Sequence, residues 1–438
     1  MSVSSVVRYT LGFKTFGRAF LKIQKFSDMY KMARLKPQPD DPLNPPLKSS
    51  VLLKEIMSVH YLEGRYVEGV KKVAWVSSGA PVEPLRALGY FVVYPENHAA
   101  LCGARRVAVE ICEEAEREGF SMDLCSYART DIGSAISGKT PVGKIPKPDL
   151  LVVCTNICQT ILYWFKNLSY YFKVPLAVID TPFIFDDMEE HQIEYVKRQI
   201  EEMIITAEKV AGKSISFKKL RKVISLSKEA AELWLEIIYR GRFKPSPITA
   251  FDTFVHMAPI VGLRGEEITV IYYRKLLKEI DERIKNGIGA IKNEKKRILW
   301  DNLPVWFRLN WLSRYLASRG ANIVTSTYTL QWGELAPMID IERPLESAAK
   351  IYLYPLLNRS VRYKLATMKK MVKEFDIDGV LLHSDRSCKP YSLGQIDERN
   401  LLVKEGIPAV LIDADHNDMR AYSEEQVKNR LDAFLEIL

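Results

Sequence analysis

The sequence predicts an α/β fold with two Rossmann-like lobes, each built on a parallel sheet, with an intervening helical segment and an N-terminal helical arm. In two parts of the chain, short apolar runs alternate with long amphipathic stretches, the pattern of parallel strands joined by crossover helices. The apolar runs occupy residues 73–76, 90–94, 150–153, 176–179, 298–300, 323–325, 380–382 and 409–412. Between the two parts such runs disappear, and the pattern predicts helices.

The two strand-rich parts also resemble each other. In the first, DLLVVCTNIC is followed by a helical stretch and then by KVPLAVIDTP. In the second, DGVLLHSDRSC is followed by a helical stretch and then by GIPAVLIDAD. Cys158 precedes Asp180 by 22 residues, and Cys388 precedes Asp413 by 25. Because open α/β sheets bind ligands at the carboxyl ends of their strands, two such lobes facing each other would enclose one site lined by cysteines from both.

This pattern divides the chain into four segments. Residues 1–65 are predicted to form the helical arm and a linker, and residues 66–187 the first lobe. Residues 188–295 are predicted to form the helical segment, and residues 296–438 the second lobe. The linker is assigned to residues 37–46, where prolines stiffen a polar stretch.

Composition and charge exclude several classes of protein. Hydrophobic residues make up 47% of the 438 residues and charged residues 27%, which excludes wholesale disorder. The formal charge of +9 comes from Lys and Arg interleaved with Glu, as on solvated helix faces, so we expect no nucleic-acid partner. Apolar runs fall short of the roughly 20 residues that cross a bilayer, and the N-terminus lacks a leader pattern. We therefore expect a cytoplasmic protein with reduced thiols and no membrane association.

One nucleotide-binding pattern is present. Residues 133–140, GSAISGKT, match the P-loop expression GxxxxGK followed by Ser or Thr. A working P-loop joins a buried strand to the N-terminus of a helix. Here the preceding residues 126–131 are polar, and the following PVGKIPKP places prolines where that helix would run. The sequence therefore predicts an exposed Gly-Lys loop rather than an ATP site.

The six cysteines are too few for a disulfide scaffold of this size but sufficient for a metal site. Most cysteines are small buried hydrophobic residues, and Cys112 fits that role inside the apolar helix pattern VAVEICEEAE. Cys125, Cys158 and Cys388 instead stand at chain reversals close to strand ends. Three thiols in such positions suit a metal or cluster site better than a core. Their long spacings match neither zinc-finger nor bacterial ferredoxin patterns.

Several motifs resemble those of one known family. They are WVSSGAPVEPLRALGY, YPENHAALCGARR, DLCSYARTDIGSA, LLVVCTNICQT, LAVIDTPF and LLHSDRSC. Over residues 50–438 the chain is similar to the 2-hydroxyacyl-CoA dehydratase and benzoyl-CoA reductase family, and most like the larger, B-type subunit of ATP-dependent class I benzoyl-CoA reductases. The resemblance implies a 4Fe-4S cluster held by Cys125, Cys158 and Cys388. Its fourth iron position can face the substrate.

The resemblance also implies an activity. It predicts an iron-sulfur oxidoreductase of anaerobic aromatic degradation, which reduces the ring of benzoyl-CoA by two electrons to a cyclohexadiene carbonyl-CoA. The electrons would come from ferredoxin through a separate ATP-hydrolysing activator, and ATP would act only there. A homologous second cluster-binding subunit would complete the enzyme.

Polar residues at the strand ends of the first lobe are candidates for the chemistry. Ser78 follows the first strand, and Glu96 and His98 follow the second. Glu96 could simply open the helix that begins near His98. The resemblance implies instead that Ser78 and Glu96 form a thioester-handling or proton-handling pair. His98 is a candidate to protonate a reduced ring, with a capping or surface role as its alternative.

In the second lobe, residues 301–306 follow a strand and are predicted to line the acyl pocket. Trp306 and Trp311 would suit an aromatic acyl group, and a place in the core is their alternative.

Three other functions stay open. A 2-hydroxyacyl-CoA dehydratase uses the same cluster and activator but recycles its electron to eliminate water through a ketyl radical. A related branch carries a double-cubane cluster, which needs six cysteines. This chain has six, although the setting of Cys112 argues against that assignment. The third is an electron-transfer subunit whose partner alone binds the substrate.

Overall fold

Two four-stranded parallel sheets organise the computed structural model, which describes residues 2–35 and 38–438. The first sheet contains β1 (Val73–Val76), β2 (Phe91–Val93), β3 (Leu150–Cys154) and β4 (Leu176–Ile179). The second contains β5 (Lys296–Asp301), β6 (Ala321–Ser326), β7 (Gly379–Asp385) and β8 (Ala409–Ala414). Every predicted strand run is confirmed, and so is the α/β class with its paired parallel sheets.

Both sheets have the same topology. The strand order is β2-β1-β3-β4 in the first sheet and β6-β5-β7-β8 in the second. The direction of winding therefore reverses between β1 and β3, and again between β5 and β7. At such switch points the loops leave the sheet in opposite directions and open a crevice beyond the carboxyl ends of the strands.

Burial of the strands explains why their positions can be predicted from the sequence. Every residue of β1 and β3 is buried, because helices cover both faces of a parallel sheet, so these strands appear as continuous apolar runs. The edge strand β4 alternates between buried and half-buried residues.

The N-terminal arm is helical, as predicted, and packs on the helix that follows it. Its helices are α1 (Val3–Arg8), a π-helix (Tyr9–Gly17) and α2 (Arg18–Ala33), and the next is α3 (Ser49–Gly64). Tyr9 OH donates a hydrogen bond to Glu63 at 2.6 Å, and Lys25 pairs with Glu55. Of the predicted linker, Pro37 lies outside the described residues.

The remaining helices surround and separate the sheets. Those of the first sheet are α4 (Glu83–Leu88), α5 (Pro95–Ala104), α6 (Ala108–Arg117), α7 (Ser126–Ser137) and α8 (Gln159–Phe172). Between β4 and β5 the chain forms α9 (Glu190–Ala211), α10 (Phe217–Tyr239), α11 (Ala250–His256), α12 (Ala258–Gly262) and α13 (Glu267–Lys285). Of these, α9 packs on the first sheet. After β5 the chain forms α14 (Leu309–Ala317), α15 (Thr327–Glu334), α16 (Pro344–Leu353), α17 (Val361–Glu374), α18 (Lys389–Ser392), α19 (Gln395–Lys404) and α20 (Glu424–Ile437). Of these, α16 packs with α9 in the core of the first sheet. Within the described ranges, each helix is too short or too polar to span a bilayer.

Candidate functional site

A cavity of about 220 Å³ lies between the carboxyl ends of the two sheets. From the first switch point, Ser78 follows β1 and Cys158 follows β3, and both line the cavity. From the second, Leu303 follows β5 and Cys388 follows β7, and both line it as well. The two crevices therefore open into one space.

Three cysteines line this cavity, and each stands immediately before a helix. Cys125, Cys158 and Cys388 occupy the N-cap positions of α7, α8 and α18. The free N–H groups at the start of a helix carry a partial positive charge that favours thiolate ligands. The structure thus brings together three side chains that are 33 and 230 residues apart in the chain.

The electrostatics of these thiols fit a cationic cofactor. Burial and then the charge of Cys125 raise the pKa of the Cys158 thiol to about 12. Burial, Asp385 and the other two cysteines raise the pKa of Cys388 well above its ordinary value. Burial thus disfavours the thiolate forms of Cys158 and Cys388, and a metal reverses this because it deprotonates the thiols that coordinate it.

The spacing of the three thiols fits a cluster better than a single ion. In the described part of the chain, one set of three metal-ligating side chains has all its ligand atoms within 4.8 Å of one another, namely Asp385, Asp415 and His416. The three cavity thiols are spaced more widely, whereas sulfur atoms around one tetrahedral zinc ion stand ~3.8 Å apart. An iron-sulfur cluster, which spreads its cysteine ligands around several irons, therefore suits Cys125, Cys158 and Cys388.

The other three cysteines are separate from this group. Cys102, Cys112 and Cys154 are fully buried and do not line the cavity. Cys112 Sγ lies 3.2 Å from Thr130 Oγ1 on the buried face of α6, which confirms its predicted core position. The structure therefore does not bring six thiols to one place, as a double cubane requires.

Glu96 and Ser78 form a hydrogen-bonded pair at the cavity wall. The backbone N–H and the hydroxyl of Ser78 both donate to Glu96 Oε1, at 2.8 and 3.0 Å. Glu96 Oε2 is buried and has no hydrogen-bond partner among the described residues. Burial raises the pKa of Glu96 to about 7, although the two bonds from Ser78 oppose that shift. Glu96 is therefore able to hold and release a proton near neutral pH.

Glu96 is not the capping residue of its helix. Helix α5 begins at Pro95 with Tyr94 as its N-cap, and no side chain caps it. The Glu96 carboxylate instead reaches across to the loop after β1.

His98 lies outside the cavity lining. Its Nε2 atom is 2.8 Å from Thr140 Oγ1, and burial lowers the pKa of His98 to about 4. A neutral, enclosed imidazole is a poor proton donor at neutral pH. The role of His98 as an acid thus stays a prediction that the geometry does not support.

Aromatic side chains form much of the cavity wall. They are Tyr127, Trp164, Tyr328, Trp332, Tyr352 and Tyr391. Of the predicted segment 301–306, Leu303 alone lines the cavity. Trp306 is half-buried and packs against the cores of both lobes, and Trp311 stacks on Tyr315 with ring centroids 4.8 Å apart. The structure therefore favours the packing alternative for these two indoles, and the aromatic wall comes from several elements, among them the helix after β6.

A half-buried ion pair also contributes to the cavity wall. Arg264 Nε donates to Glu83 Oε1 at 3.0 Å, and its Nη2 donates to Tyr352 OH at 2.9 Å. Although burial opposes the shift, the charge of Arg264 lowers the pKa of Glu83 below its ordinary value. The pair adds polar groups to a wall that is otherwise mostly apolar.

A buried polar cluster, which the sequence analysis missed, lies against two of the cavity cysteines. Asp385 Oδ1 accepts the backbone N–H of Cys388 at 3.3 Å, and His416 Nε2 lies 3.9 Å from Cys125 Sγ. Burial alone would lower the pKa of His416, but the charges of Asp385 and Asp415 raise it well above its ordinary value. The sequence signal for this cluster is the run DADH, residues 413–416, which covers the end of β8 and the two residues after it.

The P-loop match is not a phosphate site. Residues 133–137 complete helix α7, and Gly138 follows as its C-cap with φ of +74°. The pattern therefore lies at the C-terminus of a helix, where carbonyls rather than N–H groups are free. Lys139 is paired with Glu110 and Glu114.

The chain is similar to several known proteins. Residues 77–438 match the family described as 2-hydroxyglutaryl-CoA dehydratase, D-component. The chain is 31% identical over 396 residues to the (R)-2-hydroxyisocaproyl-CoA dehydratase alpha subunit of Clostridioides difficile, across 89% of this chain and 96% of that protein. It is 32% identical over 373 residues to the (R)-phenyllactyl-CoA dehydratase alpha subunit of Clostridium sporogenes, across 84% and 90%. It is 30% identical over 409 residues to a benzoyl-CoA reductase subunit of Thauera aromatica, across 89% and 94%.

Proposed function

Because the chain belongs to the 2-hydroxyglutaryl-CoA dehydratase D-component family, and is similar both to dehydratases and to a benzoyl-CoA reductase, we propose that it is the cluster-binding subunit of an enzyme that reduces benzoyl-CoA. One observation carries this proposal. Glu96 lines a cavity that is walled by aromatic rings and also lined by Cys125, Cys158 and Cys388. A proton donor, the ligands of an electron donor and a surface for a planar ring thus share one space.

The reaction adds two electrons and two protons to the ring of benzoyl-CoA and gives a cyclohexadiene carbonyl-CoA. When bound to the three cysteines, a 4Fe-4S cluster would supply electrons one at a time at low potential. Glu96 holds a proton on Oε2 and transfers it to a ring carbon. Solvent then reprotonates the Glu96 carboxylate, which delivers the second proton. Ser78 keeps Oε1 occupied, so that the same oxygen transfers both.

The aromatic walls position the acyl group and keep bulk water away from the ring, while the Glu96 carboxylate still exchanges protons with solvent. Tyr328 and Trp332 present large apolar surfaces, and each aromatic contact adds ~0.5–1.5 kcal/mol beyond the burial of area. Exclusion of water matters because a strongly reducing site that is open to solvent loses electrons to side reactions.

Further subunits would supply the electrons. We place ATP hydrolysis on a separate activator that is reduced by ferredoxin, and the helical setting of residues 133–137 supports an ATP site elsewhere. The names of the relatives describe them as subunits of larger enzymes, which supports a homologous second subunit here. The need for reduced thiol ligands supports a cytoplasmic location.

The names of other relatives favour a second candidate function. The chain is 31% and 32% identical to alpha subunits of (R)-2-hydroxyisocaproyl-CoA and (R)-phenyllactyl-CoA dehydratases. In a dehydratase the electron returns after water has left, so that no net reduction occurs. Glu96 would then protonate the departing hydroxyl group, and the aromatic walls would hold a phenyl group equally well.

An anoxic assay with two substrates tests the proposal. The complete enzyme, with activator, ferredoxin and ATP, receives benzoyl-CoA in one arm and (R)-phenyllactyl-CoA in the other. We expect benzoyl-CoA to gain two hydrogens with matching consumption of electrons. Loss of water from (R)-phenyllactyl-CoA without net consumption of electrons, together with unchanged benzoyl-CoA, would overturn the choice of reductase.

A further inference from the structure

We propose that the N-terminal helical arm binds the surface of a membrane that contains anionic lipids. This role goes beyond the proposed function, because neither the cavity cysteines nor an acyl-CoA takes part in it. The family match begins at residue 77, so the arm lies before the matched residues.

One face of the arm is apolar and open to solvent. Five large side chains lie on it, three or four residues apart, namely Phe16, Phe20, Ile23, Phe26 and Tyr30. Each of them is between 56% and 71% exposed. At about 100° per residue, the four that belong to α2 fall within an arc of about 120°. The five side chains therefore form one continuous apolar stripe, and contiguous exposed apolar surface marks an interaction site.

The opposite face of α2 holds the arm on the rest of the protein. Leu21 is buried on that face. Lys25 pairs with Glu55 at 2.8 Å, and Asp28 pairs with Lys54 at 2.7 Å, both partners being residues of α3. These contacts fix the rotation of α2 about its axis, so the apolar stripe points away from α3.

Cations border the apolar stripe. Arg18 and Lys22 lie at one edge and Lys31 at the other, and all three are exposed. Residues 2–35 contain seven Lys and Arg against one acidic residue, so these 34 residues supply +6 of the chain's formal charge of +9. The single acid, Asp28, is turned toward α3. The arm therefore lacks the alternation of Lys with Glu that is found on other helices of the chain.

A bilayer surface with anionic lipids complements both features. A helix with an apolar face and a basic polar face lies in the plane of the interface, with its apolar side chains ~5–10 Å deep in the headgroup region. The stripe from Phe16 to Tyr30 is about 21 Å long, and its edges place Lys22 and Lys31 at the level of the headgroups. Their long side chains reach the lipid phosphates while the rings enter the acyl boundary.

Other occupants fit this surface less well. A second copy of the chain would bring two strongly basic arms together, and their charges would repel. A protein partner would have to be acidic and to offer a groove shaped for five projecting side chains. A bilayer surface adapts to the side chains and needs no matching shape. The expectation of no membrane association rests on the lack of a spanning run, which a helix lying in the surface does not need.

Co-sedimentation with vesicles tests the proposal. The anoxically purified complex is mixed with vesicles of phosphatidylcholine alone, or with vesicles that also contain phosphatidylglycerol. We expect binding to the anionic vesicles that falls as salt is raised, and little binding to the neutral ones. Phe20→Gln should weaken binding by about tenfold. Lys22→Gln combined with Lys31→Gln should weaken it by about fivefold for each charge removed.

Matched control variants lie outside the arm. Phe185→Gln removes a phenyl ring that is 64% exposed, the same fraction as at Phe20. Lys218→Gln combined with Lys222→Gln removes two exposed charges from α10. Both controls should bind the anionic vesicles as the wild type does. Since all the substituted side chains are exposed, each variant should keep the wild-type circular dichroism.

Four results would overturn the proposal. The first is a wild-type complex that does not bind the anionic vesicles. The second is an equal loss of binding in the arm variants and their controls, which would assign binding to overall charge. The third is binding by the isolated chain but not by the complex, because an acidic partner subunit would then cover the arm. The fourth is a lipid-free dimer that Phe20→Gln dissociates, which would make a second copy the occupant. Vesicle binding is measured without turnover, so the result is independent of the proposed function.

Discussion

Ser78 binds Glu96 through one carboxylate oxygen, since its N–H and its hydroxyl both donate to Oε1, while Oε2 has no partner in the part of the chain that the structure describes. This asymmetry leaves Oε2 as the oxygen that can carry a proton. Burial raises the pKa of Glu96 to about 7, so that an appreciable fraction is protonated at neutral pH.

Glu96→Gln should lower the rate of substrate reduction by about 10²–10⁴-fold, the usual contribution of a positioned acid. Glutamine keeps the shape and the acceptor for Ser78 but cannot transfer a proton. Turnover under saturating benzoyl-CoA measures the loss. Glu118→Gln, on the exposed end of α6, is the control and should keep the wild-type rate. Full activity in Glu96→Gln would remove Glu96 from the mechanism.

The rate of substrate reduction should fall as the pH rises, because Glu96 must be protonated to act as the acid. The acid is protonated below about pH 7 and ionised above it, so reduction should slow by about tenfold per pH unit on the alkaline side.

The stability of the fold should depend on pH as well, because the pKa of Glu96 in the folded protein lies above that of an unfolded glutamate. Raising the pH from about 4.5 to about 7 should therefore lower the free energy of unfolding, and above that range Glu96 should add no further change. Glu96→Gln should remove both dependences, as rate profiles and urea denaturation would report. A rate profile of the same shape in the variant would assign the titration to another group.

Cys158→Ala should abolish the resonance signal of the cluster and most of the bound iron. The thiol lines the cavity together with Cys125 and Cys388, and two thiols do not hold the cluster. Cys112→Ala is the matched control, because Cys112 is buried in α6 and does not line the cavity. This control should keep its iron and lose about 1 kcal/mol of stability. Full iron content in Cys158→Ala would remove Cys158 from the ligand set.

Trp332→Ala should raise the KM for the acyl-CoA by roughly 10- to 100-fold, because burying a large aromatic side chain against a ligand contributes about 1.5–3 kcal/mol. Trp332 lines the cavity. Trp311→Ala removes an indole that stacks on Tyr315 and does not line the cavity, so its KM should be unchanged. Equal effects of the two substitutions would mean that the acyl group binds elsewhere.

Gly133→Ala should lower the free energy of unfolding by about 1–3 kcal/mol. A Cβ atom at Gly133 would lie 1.9 Å from the backbone carbonyl oxygen of Ile111, where α6 and α7 pack together. Gly262→Ala is the control, since its nearest neighbour would lie at 3.5 Å. Urea denaturation compares the two. Equal stability of the variants would show that the spacing of α6 and α7 is not tight, and this glycine would then have no packing role.

The strands could be predicted because both faces of the central ones are buried. β1 and β3 contain only buried residues, which leaves an uninterrupted apolar run in the sequence. The three cysteine loops could be predicted because each follows such a run or opens a helix. The matching strand orders place the Cys158 and Cys388 loops at the switch points of the two sheets.

Other parts of the site depend on contacts that the sequence does not encode locally. Ser126 and Asp415 form a hydrogen bond across 289 residues. The buried polar cluster of Asp385, Asp415 and His416 therefore forms only after the two lobes come together. Likewise Trp332 enters the cavity from the helix after β6, whereas the nearer indoles Trp306 and Trp311 do not line it. Local periodicity places a side chain on an element but does not decide which cavity that element borders.

Iron and sulfide analysis of the anoxically purified wild-type chain tests the central claim most directly. Cys125, Cys158 and Cys388 are the cysteines that line the cavity, so the account predicts about four iron atoms and about four sulfide ions per chain, as in one 4Fe-4S cluster. About eight iron atoms and about nine sulfide ions would indicate a double cubane, which is two 4Fe-4S units bridged by a sulfide, and would contradict the separation of Cys102, Cys112 and Cys154 from the site. Less than about one iron per chain would contradict the cluster itself.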